Sequence, residues 1–173
     1  MNDTLNKFLN LLFDPSDEIC SSPNLYANKS KTMDKVTTAD AFISINPILG
    51  VRNNENVTKL KTFLVEIDPK NWNELSDADK EITLLDNLNY IKNIGMPYST
   101  CTYSGNKSHH FLISLDQDIK NVEEYKFYYK WLTNIVDKAD KQTGHPSIST
   151  RLPGHIRSDT FKCQQLIEIN KRI

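Results

Sequence analysis

Glycine is scarce in this chain, with five in 173 residues, which leaves little for tight turns or glycine-rich phosphate-cradling loops. Apolar runs are short, and none approaches the roughly 20 residues that a bilayer-spanning helix requires. The opening residues Met1-Asn2-Asp3-Thr4-Leu5 lack the basic-then-apolar order of a secretory signal. Of the three cysteines, Cys20, Cys101 and Cys163, no two form a CxxC pair, and any pairing leaves an odd thiol. A reduced, cytoplasmic protein away from membranes is the simplest account of these absences. An excess of one charge is lacking too. The formal net charge of −1 gives no overall basic signature for nucleic acid. The distribution is less even, because residues 1–100 carry 10 Lys+Arg against 14 Asp+Glu and residues 101–173 carry 11 against 8. Arg151, Arg157 and Lys162 fall close together in that last third, where charge alone would describe only a solvated face.

What is present suits one soluble domain with a sizeable core, at 38% hydrophobic and 25% charged residues. Leu5, Phe8, Leu9 and Leu12 recur at helical spacing and predict a helix over residues 2–13, broken at Asp14-Pro15. Residues 24–40 are polar and read as loop or irregular structure. Strands are expected over 41–45, 61–68, 98–103, 109–115 and around 164–169. Ser76 opens a helix whose stripe is Leu84, Leu88 and Ile91, with a stop at Gly95. Asn121 with Glu124 opens another, striped by Val122, Tyr125, Tyr129, Leu132 and Val136. The order α-β-β-α-β-β-α-β predicts an α+β sandwich of split-βαβ type, an antiparallel sheet with helices packed on one face.

Three clusters carry possible chemistry. In Phe63-Leu64-Val65-Glu66-Ile67-Asp68, alternation sends Phe63, Val65 and Ile67 to one face and Glu66 and Asp68 to the other. Two carboxylates about 7 Å apart on one strand face repel, and a divalent cation reverses that logic by becoming the largest local charge. Next, Ser108 and His110 share the more polar face of their strand, just after Lys107. A hydroxyl, an imidazole and an ammonium beside turn amides suit a phosphate. Last, the segment from Asp140 to Arg157 crosses a Pro/Gly-punctuated loop bearing two arginines. Asp140 is a candidate third metal ligand, Asp137 one helical turn earlier competes for that role, and Arg151 and Arg157 suit bidentate phosphate contacts. Three acids, a Ser/His/Lys strand and an Arg loop make the inventory of a two-metal nucleotidyl transferase.

The chain resembles the archaeo-eukaryotic primase superfamily, particularly the primase-polymerases of phages, plasmids and integrated elements. Glu66-Ile67-Asp68 is similar to the superfamily's first motif, a hydrophobic strand carrying D-x-D or E-x-D. Ser104-Gly105-Asn106-Lys107-Ser108-His109-His110 is similar to its second, S-G-x-K-[GS]-x-H. Asp140 followed by Arg151-Leu152-Pro153-Gly154 resembles the third, with Arg157 as a further basic residue. Ile45-Asn46-Pro47 and Gly50-Val51-Arg52 look like the element that precedes the first motif. The likeness runs from about residue 41 to 168.

The resemblance implies a single catalytic domain over 1–173, with an N-terminal α/β extension over 1–40 and an RRM-like catalytic core over 41–169. It implies Mg²⁺ or Mn²⁺ held by Glu66, Asp68 and Asp140. Lys107, Ser108, His110, Arg151 and Arg157 would bind an NTP or dNTP, with Asn46, Arg52 and Ser104 as further substrate or template contacts. Its implied partners are a single-stranded DNA template and a replicative helicase or helical priming domain, in cis or in trans. Two departures stand out: His109 adds bulk beside His110, and the first acid is Glu where many relatives have Asp.

Two rival readings come from other classes. A rolling-circle nickase uses a His-U-His metal strand and a helix tyrosine, for which Tyr125, Tyr128 and Tyr129 are available. His109 and His110 are adjacent, however, so on a strand they face opposite sides. A non-catalytic RRM-like module would bind single-stranded nucleic acid through aromatics on an open sheet face, for which Tyr98 and Tyr103 are the candidates.

Overall fold

A computed structural model describes residues 3–25 and 29–173. The start expected for the first helix at residue 2, and 26–28 within the irregular stretch 24–40, lie outside the described residues. In chain order the main elements are α1 (Asp3–Leu12), β1 (Glu18–Ser22), β2 (Ser30–Thr32), β3 (Phe42–Ser44), β4 (Thr62–Glu66), α2 (Asp77–Asn93), β5 (Thr100–Tyr103), β6 (His109–Ser114), α3 (Val122–Ile135), β7 (Ser149–Arg151) and β8 (Gln165–Ile169). They build two four-stranded sheets, ordered β2-β1-β3-β7 and β4-β6-β5-β8, with every pairing antiparallel.

The second sheet holds four of the five expected strands, the one expected at 41–45 joining the first sheet instead, and the starts of α2 and α3 form as the sequence predicts. Ser76 accepts from Asp79 N at 3.2 Å and Asn121 from Glu124 N at 2.8 Å, each satisfying one of the orphan donors of a helix's first turn. Gly95, at φ +67°, follows the end of α2. Strand alternation sends Phe63 and Val65, with Phe111 and Ile113, to one face, where they form a core with Ile91, Tyr125, Tyr129 and Leu132 of α2 and α3. Leu64 and Leu112 turn to the other face, into a second core with Leu5, Phe8, Leu9 and Leu12 of α1 and with Ile19 and Ile43 of the first sheet.

The first sheet is what sequence reading missed. Strands at 18–22, 30–32 and 149–151 join β3, and β1 pairs with β3 across the boundary expected at residue 40. β2 and β7 are three residues long, too short for alternation to register. The faces of the second sheet are thus covered by helices on one side and by α1 and the first sheet on the other. Tyr98 is buried, and its hydroxyl donates to Glu168 at 2.6 Å. Tyr103 donates to Asn106 O at 3.0 Å. The hydroxyls of both tyrosines that an RRM-like binding module would use are thus engaged within the fold.

Candidate active site

Glu66 ends β4 on the face turned toward the first sheet, directly opposite His110 of β6. Ser108 Oγ donates to Glu66 Oε1 at 2.6 Å, and His110 Nε2 lies 3.3 Å from the same oxygen. The other imidazole nitrogen, Nδ1, is 2.9 Å from Thr150 Oγ1 of β7, so His110 ties one sheet to the other. Burial would raise the Glu66 carboxyl, but the attraction of His110 and the hydrogen bonds from His110 and Ser108 outweigh it. They hold Glu66 at about 2.

Asp68 lies two residues beyond the end of β4, not on the strand as expected. Lys107 Nζ donates to its Oδ2 at 2.7 Å, while Oδ1 is buried and has no hydrogen-bond partner. Lys107 and Ser108 are presented by the turn at 104–108. Ser104 N donates to Ser108 O at 2.9 Å, and Ser108 N donates to Ser104 Oγ at 3.2 Å. Gly105 sits there at φ +77°, where a side chain is strained.

Asp140 is brought to Glu66 by the main chain: its N–H donates to Glu66 O at 2.8 Å. Its carboxylate turns away to accept from Gln142 N at 2.9 Å, capping the one-turn helix Lys141–Thr143. Asp137 accepts from the Tyr90 hydroxyl. Both acids and Asp68 line a cleft of about 760 Å³ with Lys70, Lys138 and Lys141. Among the described residues no three His, Cys, Asp or Glu side chains stand as a preformed metal-holding group. The donors present still fit a hard divalent cation. Glu66 and Asp68 supply carboxylate oxygens, one of them buried and unsatisfied, and Mg²⁺ is commonly held by one or two carboxylates plus substrate phosphates.

Of the basic residues, Arg151 stacks on Phe42, its cross-strand partner, with the guanidinium carbon 4.1 Å from the ring centre. Burial and the nearby Arg157 push it down to about 10. Arg157 is engaged bidentately by Asp159, at 2.8 Å and 2.5 Å, and donates to Ser104 O at 3.4 Å. That pairing raises Arg157 and lowers Asp159.

The three further substrate or template contacts that the resemblance implies, Asn46, Arg52 and Ser104, all hydrogen-bond within the fold. Asn46 is fully buried: Nδ2 donates to Thr62 O and Pro146 O, and Oδ1 accepts from Lys61 N and Thr62 N. Its hydrogen-bonding capacity is used within the fold. Arg52 donates to Ser147 O at 3.2 Å and Leu25 O at 2.9 Å, tying loops together. Ser104 is buried inside its turn.

Sequence reading passed over Thr150, Asp159 and Thr102. Thr102 stands directly opposite His110, and its buried hydroxyl has no hydrogen-bond partner. Period-two alternation through Thr100, Thr102 and Ser104 could have found it. Nothing in the sequence marks Thr150, because its partner comes from the other sheet.

The histidines face apart. His109 Nδ1 is buried without a partner, and its ring lies near Tyr103 and Phe111. Tyr125 is buried and donates to Thr62 O, and Tyr129 donates to Asp140 O, each at 2.8 Å. Tyr128 is the exposed tyrosine of α3, its hydroxyl donating to Glu124 at 3.4 Å, but the paired histidines that a nickase needs are not formed among the described residues.

No family model matches this chain, and no curated protein does. Solved structures do. The AEP domain of the cyanophage S-2L primase-polymerase superposes with a TM-score of 0.70 at 18% identity, over 99% of this chain and 91% of that one. Primase RepB' superposes with a TM-score of 0.60 at 13% identity, over 98% of this chain and 57% of that one. The chain therefore has the fold of an archaeo-eukaryotic primase core.

Proposed function

We propose that this chain is a template-directed nucleotidyl transferase of primase-polymerase type, serving replication of a phage, plasmid or integrated element. The observation that carries this reading is the pairing of each anion-binding group at the sheet end with a carboxylate: Lys107 with Asp68, and Ser108 and His110 with Glu66. Such a network is poised for exchange. An incoming triphosphate offers Lys107 and Ser108 oxygens that replace those of Asp68 and Glu66, so no buried charge is left unpaired. His110, fixed by Thr150, keeps its orientation through the exchange. Arg151 adds a cation whose stacking on Phe42 limits its freedom, and Arg157 joins it once released by Asp159.

The freed carboxylates of Glu66 and Asp68, with Asp140 at their edge, would hold Mg²⁺ or Mn²⁺. When bound, that cation supplies activation of the attacking 3′-hydroxyl and neutralisation of the pyrophosphate leaving group. The substrates are an NTP or dNTP and a single-stranded DNA template, and a helicase or helical priming domain is the expected companion.

The test is nucleotide incorporation on primed and unprimed single-stranded DNA, with Mg²⁺ or Mn²⁺, comparing wild type with Asp68→Asn. Incorporation is expected to fall on the order of 100-fold or more in the variant, with the fold retained by circular dichroism. Product on the unprimed template would add priming to extension. Wild-type incorporation by Asp68→Asn would overturn the reading.

A further inference from the structure

Residues 156–163 form a small antiparallel hairpin, closed by a bridge between Ile156 and Cys163 and by Arg157 N donating to Lys162 O at 3.0 Å. At its tip Phe161 N donates to Arg157 O at 2.9 Å, and Phe161 takes φ +54°. It is the one non-glycine residue with positive φ among the described residues. That position in a hairpin is ordinarily filled by Gly or Asn, and a bulky residue there is strained. The ring gains no packing in return. It is 84% exposed and belongs to neither core. An aromatic that costs the fold both strain and exposed apolar surface points outward to a ligand.

The surroundings say which ligand. Lys162, next in the chain, is exposed and in no ion pair among the described residues. Arg157 and Arg151 stand behind it, Arg157 paired with Asp159 and Arg151 attracted by Glu66 as well as by Asp159. The hairpin is also fastened to the turn that presents Lys107 and Ser108. Thr160 Oγ1 donates to Gly105 O at 2.7 Å, Arg157 donates to Ser104 O at 3.4 Å, and a Cβ on Gly105 would stand 2.8 Å from Arg157 Cδ. An exposed ring beside an unpaired lysine, with two arginines behind it and on a mount fastened to the turn that presents Lys107 and Ser108, is a stacking platform for unpaired bases.

We propose that Phe161 stacks against a base of single-stranded nucleic acid, with Lys162 against its phosphate backbone. This holds the strand where it passes the candidate active site. The inference rests on the primase-polymerase reading for the identity of that strand as template.

The experiment is binding of a short fluorescein-labelled oligothymidylate by anisotropy at low salt, with thermal unfolding of the same proteins. Phe161→Gly relieves the backbone strain, so its melting temperature should match or exceed that of the wild type. Its affinity for the oligonucleotide should fall by about tenfold or more, as expected for loss of one base stack. Phe161→Tyr should bind like the wild type, and duplex affinity should be the same in all three. Three outcomes would overturn the proposal: unchanged oligonucleotide affinity in Phe161→Gly, no binding by the wild type, or a lowered melting temperature with binding that Tyr fails to restore. The primase-polymerase reading fails on a different readout, the Asp68-dependent incorporation of nucleotide, so the two can be told apart.

Discussion

At His109 the imidazole is enclosed on the helix side of the second sheet, beside Tyr103 and Phe111. Burial, with a smaller push from His110, lowers it to about 4 from an ordinary value of 6.5. The neutral ring is therefore the folded form, while the unfolded chain binds a proton near 6.5. Between these values the unfolded state holds more protons, so stability is undiminished above about pH 6.5 and falls as pH drops toward 4. The full loss is about 3 kcal/mol. His109→Phe should remove this window, giving an unfolding free energy in urea that changes less between pH 7 and pH 4 than that of the wild type. Its neighbour His110 faces Glu66 and Thr150 instead. Adjacent identical residues thus hold different roles, as strand alternation requires.

Among the elements, the turn at 104–108 matters most because it carries Lys107 and Ser108 to the two carboxylates. Gly105 is required there for two reasons: its φ of +77°, and the approach of Arg157 Cδ and Lys162 O to 2.8 Å and 3.2 Å of a Cβ. Gly105→Ala should cost roughly 1–2 kcal/mol of stability, read as a lower urea midpoint, and weaken triphosphate binding by displacing Lys107 and Ser108. This turn was legible in the sequence, because a glycine between two alternating strands has a local signature. So were both helix starts, whose caps lie within three residues of the donors they satisfy. β7 was not legible. Its three residues become a strand only by pairing with β3, more than a hundred residues earlier.

At the scale of the whole molecule, the second sheet is buried on one face by α2 and α3 and on the other by α1 and the first sheet. Leu64 and Leu112 meet α1 and the first sheet, and Arg172 donates to Leu11 O at 2.6 Å. The described residues before 40 therefore pack into the fold that carries the site, through α1 in the second core and β1 paired with β3. Removing them should expose the Leu64 and Leu112 face and leave β3 without its β1 partner. Such a chain should aggregate or lose its cooperative thermal transition. A soluble variant melting like the intact protein would refute this.

The sequence by itself determined what local chemistry can specify: the helices, the caps of α2 and α3, and the faces of β4 and β6. Their signals lie within a few residues of each other, because alternation and capping are short-range. Tertiary structure alone decided which polar groups meet. It placed Thr150 on His110, bonded the Asp140 carboxylate to Gln142 N, engaged Asn46 with the start of β4 and Arg52 with Ser147, and gave Phe161 its positive φ. Those outcomes depend on contacts between distant segments, and no local pattern encodes which long-range partner a polar side chain will find once its surroundings are dry.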